Sequence, residues 1–305
     1  MKFLIVGDWH ITFKIPDNRT DNYPAAQKHK MDFTFDLAQE KKVEAILQPG
    51  DLFDHYHMPD IVKREWILYF REKGINILTI PGQHDMRYHS SNIDNTPMGV
   101  LDASEAVRIL SGPFPYVFMG KDFHVHVYGA GWNAEIPEIV DKSAINILII
   151  HKLIVQEKIW EGQRDPVKSK SFLFQNKFDL IVSGDNHQSF LETRQDRYLI
   201  NCGSLMRNRI DQTTHKPCVY VYDTDTRKIE KHMVPIEPFA KVLNVAVATK
   251  EKEDNVKLEA FVKGLSKEES IEGLDFTKNT EVYVIENKDN IRPGAITMLE
   301  QEVMA

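Results

Sequence analysis

Apolar and polar positions fall into two regimes along the chain. Up to about residue 80, short continuous apolar runs alternate with longer stretches of helical spacing. The runs cover 2–7, 43–47 and 75–80. A run that is continuous rather than alternating predicts a strand buried on both faces. Residues 11–24 are loop-like, with Pro16, Asp17, Asn18, Asp21, Asn22 and Pro24. A helix over 25–42 would place Met31, Phe35 and Ala38 on one face. A second helix, begun at Pro59-Asp60 and reaching 72, would align Val62, Trp66 and Tyr69 at i, i+4 and i+7. The order β-α-β-α-β predicts a parallel sheet with right-handed crossovers, and ligands at the carboxyl ends of its strands.

From about residue 105 short strands dominate, expected at 106–110, 115–119, 122–128, 145–150, 178–183, 188–193, 197–202, 217–223 and 228–234. They predict a second, mixed sheet packed on the first, in a layered α/β/β/α sandwich. Residues 152–177 show no clear period. Pro235 and Pro238 mark a boundary. The main domain is expected over 1–236. A small capping domain and tail are expected over 237–305, built as a strand at 240–248, a helix at 251–265 and a strand at 280–286.

Composition narrows the class. A hydrophobic content of 42% and a charged content of 27% are those of a soluble globular protein. No apolar run approaches the ~20 residues needed to span a bilayer, so no membrane association is expected. The opening run ends at Gly7-Asp8 and reads as a strand, not a signal peptide. Cys202 and Cys218 are too few for a disulfide framework, and both are expected reduced in the cytoplasm. The net charge of -7 argues against a protein that coats nucleic acid but leaves a nuclease open. Carboxylates clustered at a metal site add negative charge that bound cations offset locally.

The chemistry lies where the apolar runs stop. Residues 3–7 deliver Asp8-Trp9-His10. Residues 43–47 deliver Gly50-Asp51-Leu52-Phe53-Asp54, and 75–80 deliver Gly82-Gln83-His84-Asp85. Ile145 to Ile150 ends in His151, and 180–184 in Asp185-Asn186-His187. Asp after Gly is a common turn, and a strand-end His is often only hydrogen-bonded. What points to a metal site is the ensemble of independent strands ending in ligand-type residues.

In order and spacing these runs resemble the calcineurin-like metallophosphoesterases, whose pattern is D-x-H, G-D-x-x-D, G-N-H-D/E, a lone His, then G-H-x-H. Within that family the opening strand with Asp8-Trp9-His10, the Gly50 to Asp54 run and the Asn201-Cys202-Gly203-Ser204 loop look most like SbcD-type nuclease subunits of DNA repair and recombination, especially their phage version. The resemblance implies two divalent cations, manganese by preference, with magnesium or iron compatible with the ligand types. Asp8, His10 and His187 would hold the first and Gln83, His151 and Asp185 the second, with Asp51 bridging. His84 would protonate the leaving oxygen or stabilise the transition state, and Asp54 would orient its imidazole. It also implies DNA as substrate, a homodimer, and an SbcC-like coiled-coil ATPase as partner.

Two residues depart from the family pattern, Gln83 for Asn and Asp185 for His. Both still offer oxygen, which leaves three readings open: altered metal preference, a second site filled only with substrate or at high metal, or loss of that ion. Arg207 and Arg209 are expected exposed on a loop near the site, as DNA phosphate contacts. Lys28, Lys30, Lys168 and Lys170 are further phosphate candidates, and His55 and His57 would line the cleft. Two competing readings share the fold. One is a small-molecule phosphodiesterase or phosphatase, although His55 stands where protein phosphatases carry Arg. The other is a non-catalytic DNA-binding scaffold with a degraded second site.

Overall fold

A computed structural model describes residues 1–157, 166–209, 212–244, 246–247 and 249–250. Residues Met1–Ala248 form one compact unit. The capping domain expected within 237–305 lies, beyond residue 250, outside the described residues.

The first strands follow the expected order: β1 (Lys2–Ile5), α1 (Tyr23–Lys41), β2 (Ala45–Gln48), α2 (Asp60–Lys73) and β3 (Ile77–Thr79). Asn22 caps α1 by accepting from the Ala25 amide, and Pro24 occupies the first turn, where a missing N–H costs nothing. Lys42 ends α1 in the left-handed region. A helix absent from the sequence-based expectation, α3 (Pro97–Ala103), begins at Thr96, whose hydroxyl accepts from the Gly99 amide. The Thr-Pro pair is its signal.

Then come β4 (Arg108–Ile109), β5 (Tyr116–Met119), β6 (His124–Ala130), β7 (Ile145–His151), β8 (Ile154–Val155), β9 (Val167–Lys168), α4 (Ser169–Gln175), β10 (Leu180–Gly184), β11 (Phe190–Arg194), β12 (Arg197–Asn201), β13 (Cys218–Asp223), β14 (Lys228–Met233) and α5 (Phe239–Val242). They build two six-stranded sheets, ordered β14-β13-β1-β2-β3-β4 and β11-β12-β10-β7-β6-β5. Hence β4, β13 and β14 join the first sheet rather than the second, where the sequence pattern puts them. Backbone pairing explains it: the edge of β1 not taken by β2 pairs with β13 in antiparallel register, Phe3 opposite Tyr222 and Ile5 opposite Tyr220, β14 pairs with β13, and β4 pairs in parallel with β3.

Alternation sorts the core into layers. Phe3, Ile5, Leu47 and Leu78 face Val127, Ile147, Ile149 and Val182 between the sheets. Leu4, Val6 and Ile46 face Met31, Phe35 and Phe70 of the helices. On the far side Leu148, Ile181 and Leu199 meet Phe172 and Leu173 of α4. The result is the α/β/β/α sandwich.

The strand expected over 240–248 begins instead as the short helix α5. Pro238 sets its start, the Lys241 amide returns to the Pro238 carbonyl, and Phe239, Val242 and Leu243 pack together at i, i+3, i+4 spacing. Among the described residues no helix is long and apolar enough to cross a membrane.

Candidate metal centre

The parallel strands β1, β2 and β3 of one sheet and β7 and β10 of the other end at a common edge. Backbone bonds zip the first two tips together: the His10 amide donates to the Asp51 carbonyl and the Ile11 amide to the Leu52 carbonyl, both at 2.9 Å. His10, Asp51 and Asp185 have φ of 45°, 48° and 73°. Left-handed backbone is uncommon away from Gly, and three such residues at one place mark local strain of the kind that clusters at functional sites. The packing leaves no room for a larger residue between the tips. A Cβ on Gly184 would lie 2.6 Å from Asp8 Oδ1, 2.7 Å from the Pro49 carbonyl and 2.8 Å from His151 Nδ1.

Asp51 sits at the hub. Its Oδ1 accepts from the His84 amide at 3.0 Å. Its Oδ2 has three imidazole nitrogens around it: His151 Nε2 at 3.5 Å, His10 Nε2 at 3.8 Å and His84 Nε2 at 4.0 Å. His187 Nε2 faces Asp8 Oδ2 at 3.8 Å and His10 Nε2 at 3.1 Å. Ligand atoms of Asp8, His10 and His187 all fall within 4.8 Å of one another; so do those of His10, Asp54 and His84.

Gln83 and Asp185 meet each other. The Gln83 amide nitrogen donates to Asp185 Oδ1 at 2.9 Å, which leaves Gln83 Oε1 as the free end of the amide. The two departures from the family pattern are therefore one coupled pair.

These residues fit divalent cations on their own chemistry. Asp8 Oδ1, His10 Nδ1, Asp51 Oδ2, Gln83 Oε1 and His151 Nε2 are buried and lack a hydrogen-bond partner among the described residues. Buried polar atoms are ordinarily satisfied, so such a convergence calls for a ligand. His151 Nδ1 lies 2.6 Å from the Pro49 carbonyl, which can only accept. That contact makes Nδ1 the N–H and turns the Nε2 lone pair inward, as in many metal-ligating histidines. Charges agree. Burial pushes the Asp8 carboxyl well above the usual range, with Asp51 and Asp185 adding and His151 opposing. Burial disfavours a charge on His151, but Asp51 outweighs it and raises the imidazole to about 10. A cation bound here would displace the protons that these two groups favour. His10 is held neutral, lowered by burial to about 3, and burial lowers His187 as well.

Asp54 orients His84 as expected, but through its backbone. His84 Nδ1 is held by the Asp54 backbone carbonyl at 2.7 Å, not by its carboxylate. The Asp54 amide bonds to the Ile11 carbonyl, which turns the Asp54 carbonyl toward His84. The carboxylate lies 3.6 Å from His10 Nδ1. Since a carbonyl only accepts, Nδ1 carries the hydrogen, and Nε2 is the atom His84 presents beside Asp51.

Asp85 belongs to the sequence motif without an expected role there. Buried, it accepts from the Leu52, Phe53 and Gly82 amides at 3.2, 2.9 and 3.0 Å. It fastens the Asp51 loop to the Gln83-His84 loop. Burial and the Asp51 charge raise its carboxyl to about 7, against the three donors that favour the ionised form. Asn201 does similar work. Its amide donates to the carbonyls of Asn186 and Gln188 and so holds His187 in place. The Leu205 amide then returns to the Asp8 carbonyl at 2.9 Å. Trp9, between two expected ligands, packs on Phe35 and Phe70.

Of the two arginines, one is exposed as expected and the other is not. Arg209 is exposed, and its charge adds to the lowering of the His187 pKa, after burial. Arg207 is only 5% exposed and donates to the Glu237 carbonyl, its guanidinium over Phe239. An arginine followed by a helix that covers it reads from sequence like an exposed one. Lys30 is also buried, donating to the Leu205 carbonyl at 2.9 Å. Burial, with Arg207 and Arg19 adding, lowers it to about 7. Between about pH 7 and its ordinary value the unfolded chain binds the extra proton, so this group makes stability rise with pH across that window. We expect Lys30→Met to flatten the rise by roughly 1 kcal/mol per pH unit. Melting temperatures of both proteins over that range measure it, and identical slopes would refute the burial argument.

No curated protein matches the chain. Among solved structures, the crystal structure of TT1561 of Thermus thermophilus is similar, at 13% identity over 77% of this chain and 99% of that chain, with a TM-score of 0.45. Residues 1–189 match the family model for calcineurin-like phosphoesterases, a stretch that runs from β1 to two residues beyond His187 and so takes in every strand tip that meets at Asp51; the chain belongs to that family.

Proposed function

We propose that this chain is a metal-dependent DNA nuclease subunit. It would hydrolyse phosphodiester bonds as a homodimer, with an SbcC-like coiled-coil ATPase, in recombination, repair or replication. The observation that carries the hydrolytic part is the convergence of three imidazole nitrogens, His84 among them, on Asp51 Oδ2, an atom that itself lacks a hydrogen-bond partner. The DNA and ATPase parts rest on the likeness of the Gly50 to Asp54 run and the Asn201 to Ser204 loop to SbcD-type subunits. Arg209 supports them as an exposed cation whose charge is felt at His187.

Asp8, His10 and His187 would hold one cation, Gln83, His151 and Asp185 another, and Asp51 would bridge; manganese suits this mixture of carboxylate, amide and imidazole. Two such cations would supply Lewis-acid stabilisation and a nucleophilic water at neutral pH. The chain's own residues do the rest. Asp51 and Asp85 set the spacing of the tips. The Asp54 carbonyl fixes the His84 ring, so that a protonated Nε2 can donate to the departing oxygen while Nδ1 stays engaged. Arg209 would hold a flanking phosphate.

The test is manganese-dependent release of nucleotides from linear duplex DNA. His84→Ala should slow it by about 10²–10⁴, the range for a positioned proton donor. Equal rates would remove His84 from the reaction. Turnover of a cyclic nucleotide or phosphopeptide far above that of DNA would replace the nuclease reading with a small-molecule or protein phosphoesterase.

A further inference from the structure

Beside His84 lies a set of rings that the hydrolytic centre does not use. His55 and Tyr56 stack at 4.2 Å, and Tyr56 meets Tyr88 at 5.6 Å. The next residue, His89, lies 4.8 Å from Trp132 at a shallow 34°. Both ends of this row are tied to the His84 loop. Asp54, which precedes His55, holds His84 through its carbonyl, and the Trp132 amide donates to the Pro81 carbonyl at 2.9 Å. A cavity of about 650 Å³ opens at the Trp132 end, lined by Pro81, Met86, Phe114, Trp132 and Ile136.

Core packing does not account for these rings. Tyr88 is 76% exposed and Phe114 79%. Tyr88 and His89 both have left-handed backbone, φ 52° and 58°. Two bulky residues in succession in that region are costly, and nothing buried compensates, since neither side chain is in the core. Arg87, also exposed, places its guanidinium 5.4 Å from the Tyr88 centroid, adding a cation to the row.

We propose that this row stacks the unpaired bases of a nucleic-acid strand whose phosphate lies at the Asp51 centre. Exposed aromatic faces with an interleaved arginine are how proteins hold single strands, because every base offers a π-face and every linkage a phosphate. In a duplex those faces are covered, so the row selects bases already separated from their partners. The cavity has the size of a small-ligand pocket and takes one base past the end of the row. The inference rests on the nuclease reading only for where the phosphate sits.

Binding tests it without turnover. The full chain, with no metal added, is titrated by fluorescence anisotropy with labelled oligothymidylate, an abasic deoxyribose-phosphate chain of equal length, and a duplex. Oligothymidylate should bind about tenfold more tightly than the abasic chain. Tyr88→Ala and Trp132→Ala should each remove most of that preference, and Tyr88→Phe should keep it, because stacking needs the ring and not the hydroxyl. Phe174→Ala, an exposed aromatic on α4, should leave it intact. Equal affinity for thymidylate and abasic chains would overturn the proposal. So would a duplex bound as tightly as the single strand, or a preference unchanged in Tyr88→Ala. Manganese-dependent hydrolysis is a separate readout. A base preference without hydrolysis would sink only the nuclease reading; hydrolysis without base preference would sink only the stacking row.

Discussion

Asp85→Ala should lower the melting temperature by roughly 10 °C, although residue 85 is not among the expected metal ligands. Its carboxylate is the shared acceptor for three buried amides on two loops. Alanine leaves all three without a partner, and each unsatisfied buried donor costs about 1–3 kcal/mol. Some water will enter the space, so we expect a net loss of about 3–5 kcal/mol, a large fraction of the 5–15 kcal/mol typical of a folded domain. Asp85→Asn keeps one acceptor oxygen and should fall between. Urea unfolding without metal isolates the effect from ligand binding. A loss below about 1 kcal/mol in the alanine variant would mean that these bonds do not hold the loops.

Asp51→Asn should do the opposite: leave the fold standing and disable the centre. The amide oxygen can keep the His84 amide bond now made by Oδ1. Its nitrogen then takes the place of Oδ2, where three imidazole nitrogens converge. An NH2 group donates hydrogen bonds and cannot ligate a cation. Disturbing even an outer partner of a metal ligand costs roughly 10–100-fold in affinity, so losing the oxygen proposed to bridge should cost at least about a hundredfold. Phosphodiester turnover should fall by at least about a thousandfold. The unsubstituted protein should gain melting temperature as manganese is added, because a ligand that binds only the native state stabilises it. The variant should show no such gain. A manganese-dependent shift as large as that of the unsubstituted protein would show that the ions are held elsewhere.

The parts of this site that are legible in the sequence are those that a strand tip carries by itself. Asp8, His10, Asp51, His84, His151 and His187 each follow an apolar run, and parallel strands present their carboxyl ends on one side. What is illegible depends on register between distant segments. Gln83 and Asp185 are bonded to each other because β3 and β10 end at the same level in different sheets. Asp54 turns its carbonyl to His84 because its amide is taken by Ile11. Arg207 is buried because α5 folds back over it, where the sequence pattern suggests a strand. The fold follows the same rule. Local alternation and helical spacing identify most elements, but nothing local says that β13, more than two hundred residues away, is the neighbour of β1.

That last pairing bears on how the protein is made. β1 lies between β2 and β13, and the α-amino group of Met1 reaches Asp225 at 3.0 Å. A ribosome adding about 5–20 residues per second needs on the order of ten to forty seconds between emitting the first strand and emitting its partner. During that interval the nascent chain carries a strand edge with unpaired backbone N–H and C=O groups, which β13 later covers. Every donor of the centre has already been synthesised by then, yet the sheet that aims Asp8 and His10 is still open on one side. The first sheet therefore closes only after β13 has been made, and a transcript truncated before β13 would yield a sticky fragment instead of a partial hydrolase.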